Sequence, residues 1–304
     1  MAKEEPVETE SLLRRIVAFP LSLLLIGSVL IVLVAGLGSA AARLVPFERN
    51  TPPRTLMALA VAVLVVLAYK GFKRWIERAA DTELPLPGAP LELAAGLALG
   101  ALLFSLMTGI VALLGGFEVL GLRGTGQLWS MLAIAVLSGT FEEVLFRGII
   151  LRQLEPLIGT WGALVATSAF FGGAHLINPD ATWFAALAIA LEAGILLGAA
   201  YLLTRRLWLA IGIHAAWNFT QGWVFSVPVS GGDAPLGLLV TRRVGPDWLT
   251  GGDFGLEASV VAIVVATLAG LAMLAAAVRR GRMVRPMWMR QTLTQSESAM
   301  PADT

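Results

Sequence analysis

Apolar runs long enough to cross a bilayer alternate with short polar segments along most of the chain. They fall at about 16–42, 55–72, 91–115, 127–152, 158–175, 183–203, 207–227 and 256–278. A helix needs roughly 20 apolar residues to cross the hydrocarbon, so the pattern predicts an all-α, polytopic transmembrane bundle of about eight spans. The second and fifth runs are short and suit tilted or broken helices. The run from Val17 to Leu37 is longer than the apolar region of a secretory signal and reads as a retained first span. The expected organisation is a disordered tail over 1–11, N-terminal transmembrane helices over 12–126 and core helices with the candidate catalytic residues over 127–227. A Gly- and Pro-rich outer loop follows over 228–255, then a last span and basic juxtamembrane segment over 256–290. Residues 291–304 form a second polar tail, expected to be disordered.

Composition agrees with the pattern. The chain is 57% hydrophobic and 14% charged, with a mean hydropathy of +0.79; soluble domains are about a quarter charged. There is no Cys, which removes disulfides, thiolate metal sites and a Cys nucleophile. The net charge of +1 says little, but its distribution sets orientation. Lys70, Lys73, Arg74, Arg78, Arg205, Arg206 and the cluster from Arg279 to Arg290 fall in segments on the side of the N-terminus. Arg43, Arg49, Arg54, Arg123, Arg242 and Arg243 fall on the other side. Basic loops stay in the cytosol, so both termini are expected there, in a multi-pass protein of the cell membrane. Nothing points to nucleic acid; the basic C-terminal segment suits anionic lipid.

Against this background the ionisable residues inside apolar runs stand out, because such groups are costly in hydrocarbon and mark function. Both histidines of the chain are among them. Glu142-Glu143-Val-Leu-Phe-Arg147 lies in the fourth run, ~15 Å from its cytosolic end at 1.5 Å per residue. Glu143 and Arg147, at i and i+4, can pair on one face, which leaves Glu142 to face the bundle centre. Phe171-Gly-Gly-Ala-His175 closes the fifth run, with Phe171 one turn before His175 on the same face. His214-Ala-Ala-Trp-Asn218 repeats the i, i+4 spacing in the seventh run. Glu192 interrupts the sixth run and suits a cavity-facing or protonated role; Glu257 opens the eighth at the interface.

Each feature alone has a structural reading: an intramembrane ion pair, an interfacial histidine, polar residues joining two helices. Together they supply a carboxylate, an imidazole to share its proton, and an imidazole with an amide to donate hydrogen bonds. That set suits activation of water against a carbonyl. Glu142, His175 and His214 would equally serve Zn²⁺, and spacing does not separate the two chemistries. On a straight helix count His175 lies ~26 Å deep and His214 only ~10 Å. A break around Pro156-Leu-Ile-Gly-Thr160, from which the fifth span starts deep, would bring them together.

The three motifs, in this order on successive apolar runs over about 130–225, resemble those of the CPBP family, the CAAX-protease and bacteriocin-processing membrane proteins related to type II CAAX prenyl endopeptidases. The resemblance implies a CAAX-protease-like helical core and an intramembrane endopeptidase with a cavity open to the cytosol. It implies that Glu142 activates water with help from His175, that His214 and Asn218 hold the oxyanion, and that Glu143, Arg147 and Phe171 support the site. A metal-free mechanism is favoured over zinc, which would leave Asn218 without a task; no cofactor is expected. The expected partners are a peptide or protein substrate reached from the cytosolic leaflet, and membrane lipid. The alternatives are a non-catalytic membrane partner, such as a bacteriocin-immunity or assembly factor, and a proton-coupled carrier, which the lack of an inverted repeat disfavours. A serine protease is disfavoured too: Ser138 has no accompanying Gly-x-Ser motif.

Overall fold

A computed structural model describes residues 12–289. The two tails and Arg290 lie outside the described residues. The chain runs through α1 (Leu12–Val17), α2 (Pro20–Leu44) and α3 (Pro52–Gly71), then α4 (Ala89–Leu113) and the strand β1 (Phe117–Leu122). It continues through α5 (Leu128–Glu143), α6 (Arg152–Ala174), α7 (Trp183–Ile189), α8 (Ile195–Thr204) and α9 (Trp208–Phe219). The strand β2 (Leu239–Arg243), the short α10 (Asp247–Thr250) and α11 (Val260–Arg279) complete it. Prolines with no amide proton to lose open α2, α3 and α4. The Thr182 and Ser259 hydroxyls cap α7 and α11 by accepting from Ala185 and Ala262 amides.

Among the described residues, five helical stretches are long and apolar enough to cross a membrane: Pro20–Leu44, Pro52–Glu77, Ala89–Leu113, Trp183–Thr204 and Val260–Arg279. The molecule is a multi-pass membrane protein, and large apolar side chains such as Leu25, Leu33, Leu67, Leu102 and Val264 point outward as lipid requires. The expected count of eight is not reached on this measure. Helices do form near 127–152, 158–175 and 207–227. The first of these carries Glu142, Glu143 and Arg147, the second is broken at Gly159, and the third is short.

The all-α expectation needs one correction. β1 and β2 form an antiparallel two-stranded sheet, with Phe117 opposite Arg243 and Leu122 opposite Leu239. β2 and α10 lie within the stretch expected as an outer loop.

Among the described residues, four helices pass into wider π-helical turns: Phe72–Glu77 after α3, Val144–Leu151 after α5, Ala190–Gly194 after α7 and Thr220–Val224 after α9. Such turns shift the phase of the side chains beyond them and gather at functional sites. Three of them surround the polar centre.

Helix association in lipid depends on close packing rather than on expelling water. α4 lies backbone to backbone on α9: a Cβ on Gly100 would stand 2.3 Å from the Ile213 carbonyl oxygen, and one on Gly212 would stand 2.5 Å from that of Leu93. This contact, with the edge-on pair Phe104–Trp217 (centroids 5.2 Å apart), fixes the rotation of α9. One end of the bundle is held by ion pairs: Arg152 with Glu77 at 2.6 Å, Arg205 with Glu155 at 2.5 Å, Lys70 with Asp81 at 2.7 Å and Arg206 with Glu92 at 2.9 Å. The other end is covered by the sheet and the segment 225–259.

Candidate active site

The polar centre forms where the end of α5 meets α9, α6 and the turn between α7 and α8. Glu143 is its hub and is fully buried. Its Oε1 lies 2.9 Å from Arg147 Nη1 and 2.8 Å from His214 Nδ1. The carboxylate accepts from both, so the His214 Nδ1 carries a proton. The other guanidinium nitrogen, Nη2, donates to the carbonyls of Ala193 at 2.9 Å and Gly194 at 3.3 Å. Arg147 thus ties α5 to the α7–α8 turn, while its guanidinium lies 4.7 Å from the centroid of the Phe171 ring.

Phe171 packs edge-on against Phe146 at 4.8 Å and touches the rings of His175 at 4.8 Å and His214 at 6.2 Å. His175 Nδ1 lies 2.7 Å from the Phe171 carbonyl oxygen, to which it donates. Its Nε2 has no hydrogen-bond partner among the described residues. The Asn218 amide donates to Ser138 Oγ at 2.9 Å, which sets the plane of the amide from α5.

Phe171, His175, Glu192, His214, Asn218 and Glu257 are among the groups lining one cavity of about 30 Å³, room for one or two waters. The offset expected between the two histidines is absent. Gly159 has a φ of 74°, a conformation that favours glycine. It breaks α6 at the expected place, so the stretch that carries Phe171 and His175 starts afresh at Thr160. The break is pinned: the Thr160 amide donates to the Val284 carbonyl at 3.0 Å, and the Thr160 hydroxyl donates to Glu155 Oε1 at 2.5 Å.

Of the four expected catalytic groups, His175, His214 and Asn218 share this cavity. Glu142 does not line it. It sits beyond His214, its Oε2 3.9 Å from His214 Nε2, too far for a direct hydrogen bond. That Oε2 is buried without a hydrogen-bond partner among the described residues. Glu143, paired with Arg147 as expected, faces the centre, and Glu142, partly exposed, stands at its edge rather than facing it. Glu143, Arg147 and Phe171 interlock as their spacing indicated.

The part taken by 225–259 was hidden in the sequence. Ser230 lines the cavity, its amide donates to Glu257 Oε1 at 2.5 Å, and its carbonyl accepts from Asn178 at 3.1 Å. Glu257 is thus a wall of the cavity. Among the described residues no three His, Cys, Asp or Glu side chains are arranged to hold a metal ion, and Glu142, His175 and His214 form no such ligand set.

Fold and site define a multi-pass membrane protein with a buried, water-sized polar centre where α5, α6 and α9 meet the turn between α7 and α8. Residues 124–220 match the family model described as Type II CAAX prenyl endopeptidase Rce1-like. All three motifs lie inside that stretch, which is about a third of the chain. No curated protein and no solved structure matches the chain.

Proposed function

We propose that the protein is an intramembrane endopeptidase whose site holds a hydrolytic water without a metal. The observation that carries this reading is the sharing of one cavity by His175, His214 and Asn218, with Glu142 next to the His214 ring. Glu142, helped by His175 Nε2, takes a proton from water as its oxygen attacks the scissile carbonyl. The Asn218 amide, and His214 when protonated at Nε2, donate to the resulting oxyanion. Glu142 then returns the proton to the departing amine as the carbon–nitrogen bond breaks. Glu143 and Arg147 keep the rings in place. Glu142 reaches the cavity by a side-chain turn about its own helix, since at rest it stands at the edge.

Substrate access is consistent with this arrangement. A cleft of about 590 Å³, lined by apolar residues of α3, α4, α5 and α9, runs beside the site and suits an extended or helical membrane segment. With both termini cytosolic, the covering segment 225–259 lies outside, so a substrate from the cytosolic leaflet arrives sideways through this cleft.

The position of Glu142 outside the cavity also suits a non-catalytic membrane partner, and one experiment separates the readings. The purified chain in lipid is incubated with membrane-tethered peptides, and products are read by mass spectrometry, for wild type and Glu142→Gln. Loss of a general base lowers the rate by about 10²–10⁴-fold. Full activity in Glu142→Gln would show the base to be misassigned. No cleavage by wild type, with the cellular phenotype kept in the variant, would favour the partner reading.

A further inference from the structure

Away from the site, α2, α3 and α5 enclose a groove that the proposed reaction does not use. At its head, Arg43, Arg49 and Arg54 line a hollow of about 490 Å³. Arg43 and Arg54 also border a second hollow of about 270 Å³, with Ser39 and Leu137. Arg43, Ser39 and Leu137 in turn border a third, of about 390 Å³, that reaches Val32, Gly36 and Phe141. The shared lining makes one channel, cationic at the end and apolar along its length. We propose that this channel is a binding site for an anionic phospholipid, with its phosphodiester headgroup among the three arginines and an acyl chain along α2.

Charge points to that ligand. Arg54 gives its two terminal nitrogens to the carbonyls of Ala42, Val45 and Phe47, which wraps the turn after α2 around a guanidinium, while its Nε is buried with no hydrogen-bond partner among the described residues. None of the three arginines is in an ion pair among the described residues. Glu48, on the same turn, pairs with none of them among the described residues. The cluster also stands at the end of the bundle opposite most of the basic residues, where the orientation rule disfavours it.

Length and shape point the same way. From Arg43 to Val32 along α2 is ~16 Å, about the depth of one leaflet of a hydrocarbon core roughly 30 Å thick. A Cβ built on Gly36 would meet nothing within 4 Å, so the groove is open at its midpoint. Its floor ends at Phe141, the residue before Glu142.

The test uses the full chain in detergent, exposed in turn to phosphatidylglycerol, phosphatidylcholine and chain-free glycerophosphate, with bound lipid counted by native mass spectrometry. Wild type should prefer phosphatidylglycerol to phosphatidylcholine, and the preference should fall about fivefold for each exposed arginine removed in Arg43→Gln and Arg49→Gln. Arg54 stays, because it ties its turn. Gly36→Phe, which fills the channel below the arginines, should weaken retention of both lipids and leave the headgroup preference intact. Equal retention of the two lipids by wild type would overturn the proposal. So would an unchanged preference in the Arg43→Gln/Arg49→Gln chain, or unchanged retention in Gly36→Phe. Binding of glycerophosphate as tight as that of the lipid would reduce the site to an anion site and also overturn it. These readouts do not depend on proteolysis.

Discussion

His214 on α9 donates through Nδ1 to Glu143 on α5 across 2.8 Å, joining helices whose residues stand 71 positions apart. An imidazole held this way has one orientation and one neutral tautomer, with Nε2 aimed away from the carboxylate. The same oxygen of Glu143 also holds Arg147, so a single carboxylate sets the geometry of two motifs.

Removing that charge should be costly. Glu143→Gln leaves a buried guanidinium without its counter-ion, and breaking a buried pair from one side costs about 3–5 kcal/mol. Thermal unfolding in detergent should show the loss. Glu143→Gln with Arg147→Met should recover much of the stability but no activity, because the His214 tautomer is no longer imposed. Wild-type turnover in the double variant would show that Glu143 matters only as a counter-ion.

Asn218 and Ser138 form a graded test of the oxyanion assignment. Asn218→Ala should lower kcat by about 10²–10³-fold, as loss of one such donor does elsewhere. Ser138→Ala keeps the amide but frees its plane, so a smaller fall in kcat with little change in KM is expected. Equal effects from the two variants would place the importance of Asn218 in packing.

The α4–α9 contact predicts a steric effect that needs no chemistry. Gly100→Val puts side-chain carbon where the Ile213 carbonyl now lies, and overpacking of this kind costs about 1–3 kcal/mol. His214 follows Ile213 directly, so activity should drop along with stability. Gly109→Val, on the same helix with open space at its Cβ, is the control and should be neutral in both assays.

Gly159 offers a separate test of the break in α6. An alanine there must adopt a φ of 74° and would press on Pro286, with its Cβ 2.9 Å from that ring. Strain of this kind is worth about 1–3 kcal/mol. Gly159→Ala should therefore lower the unfolding temperature and displace His175. Labelling of a cysteine placed at His175 should then become faster than in the parent cysteine variant; an unchanged rate would show that the break does not position that residue.

Local spacing made half of this site legible. The Glu143–Arg147 pair, the tilted contact of Phe171 with His175 and the common face of His214 and Asn218 all follow from i, i+4 geometry within single helices. The break near Gly159 was readable from a Pro and a Gly in an apolar run. Relations between helices were not. Which of two adjacent glutamates faces the centre depends on the rotation of α5 against α9, where Gly139 approaches the Ala215 backbone, a contact with no periodic signature. The places of Ser230 and Glu257 depend on a long loop folding back. β1 and β2 escaped notice because Phe117-Glu-Val-Leu-Gly-Leu122 is short, follows an apolar helix, and pairs with a segment more than a hundred residues later.

That late pairing constrains how the protein is made. Phe117 leaves the ribosome long before its partner Arg243, and five helices, α5 to α9, stand between α4 and closure of the sheet. The strand must wait, unpaired at the membrane surface, until α5 through α9 are in place. The cover over the cavity is consequently among the last parts to assemble, so in a nascent chain the polar centre stays open until the final third of the sequence has been added.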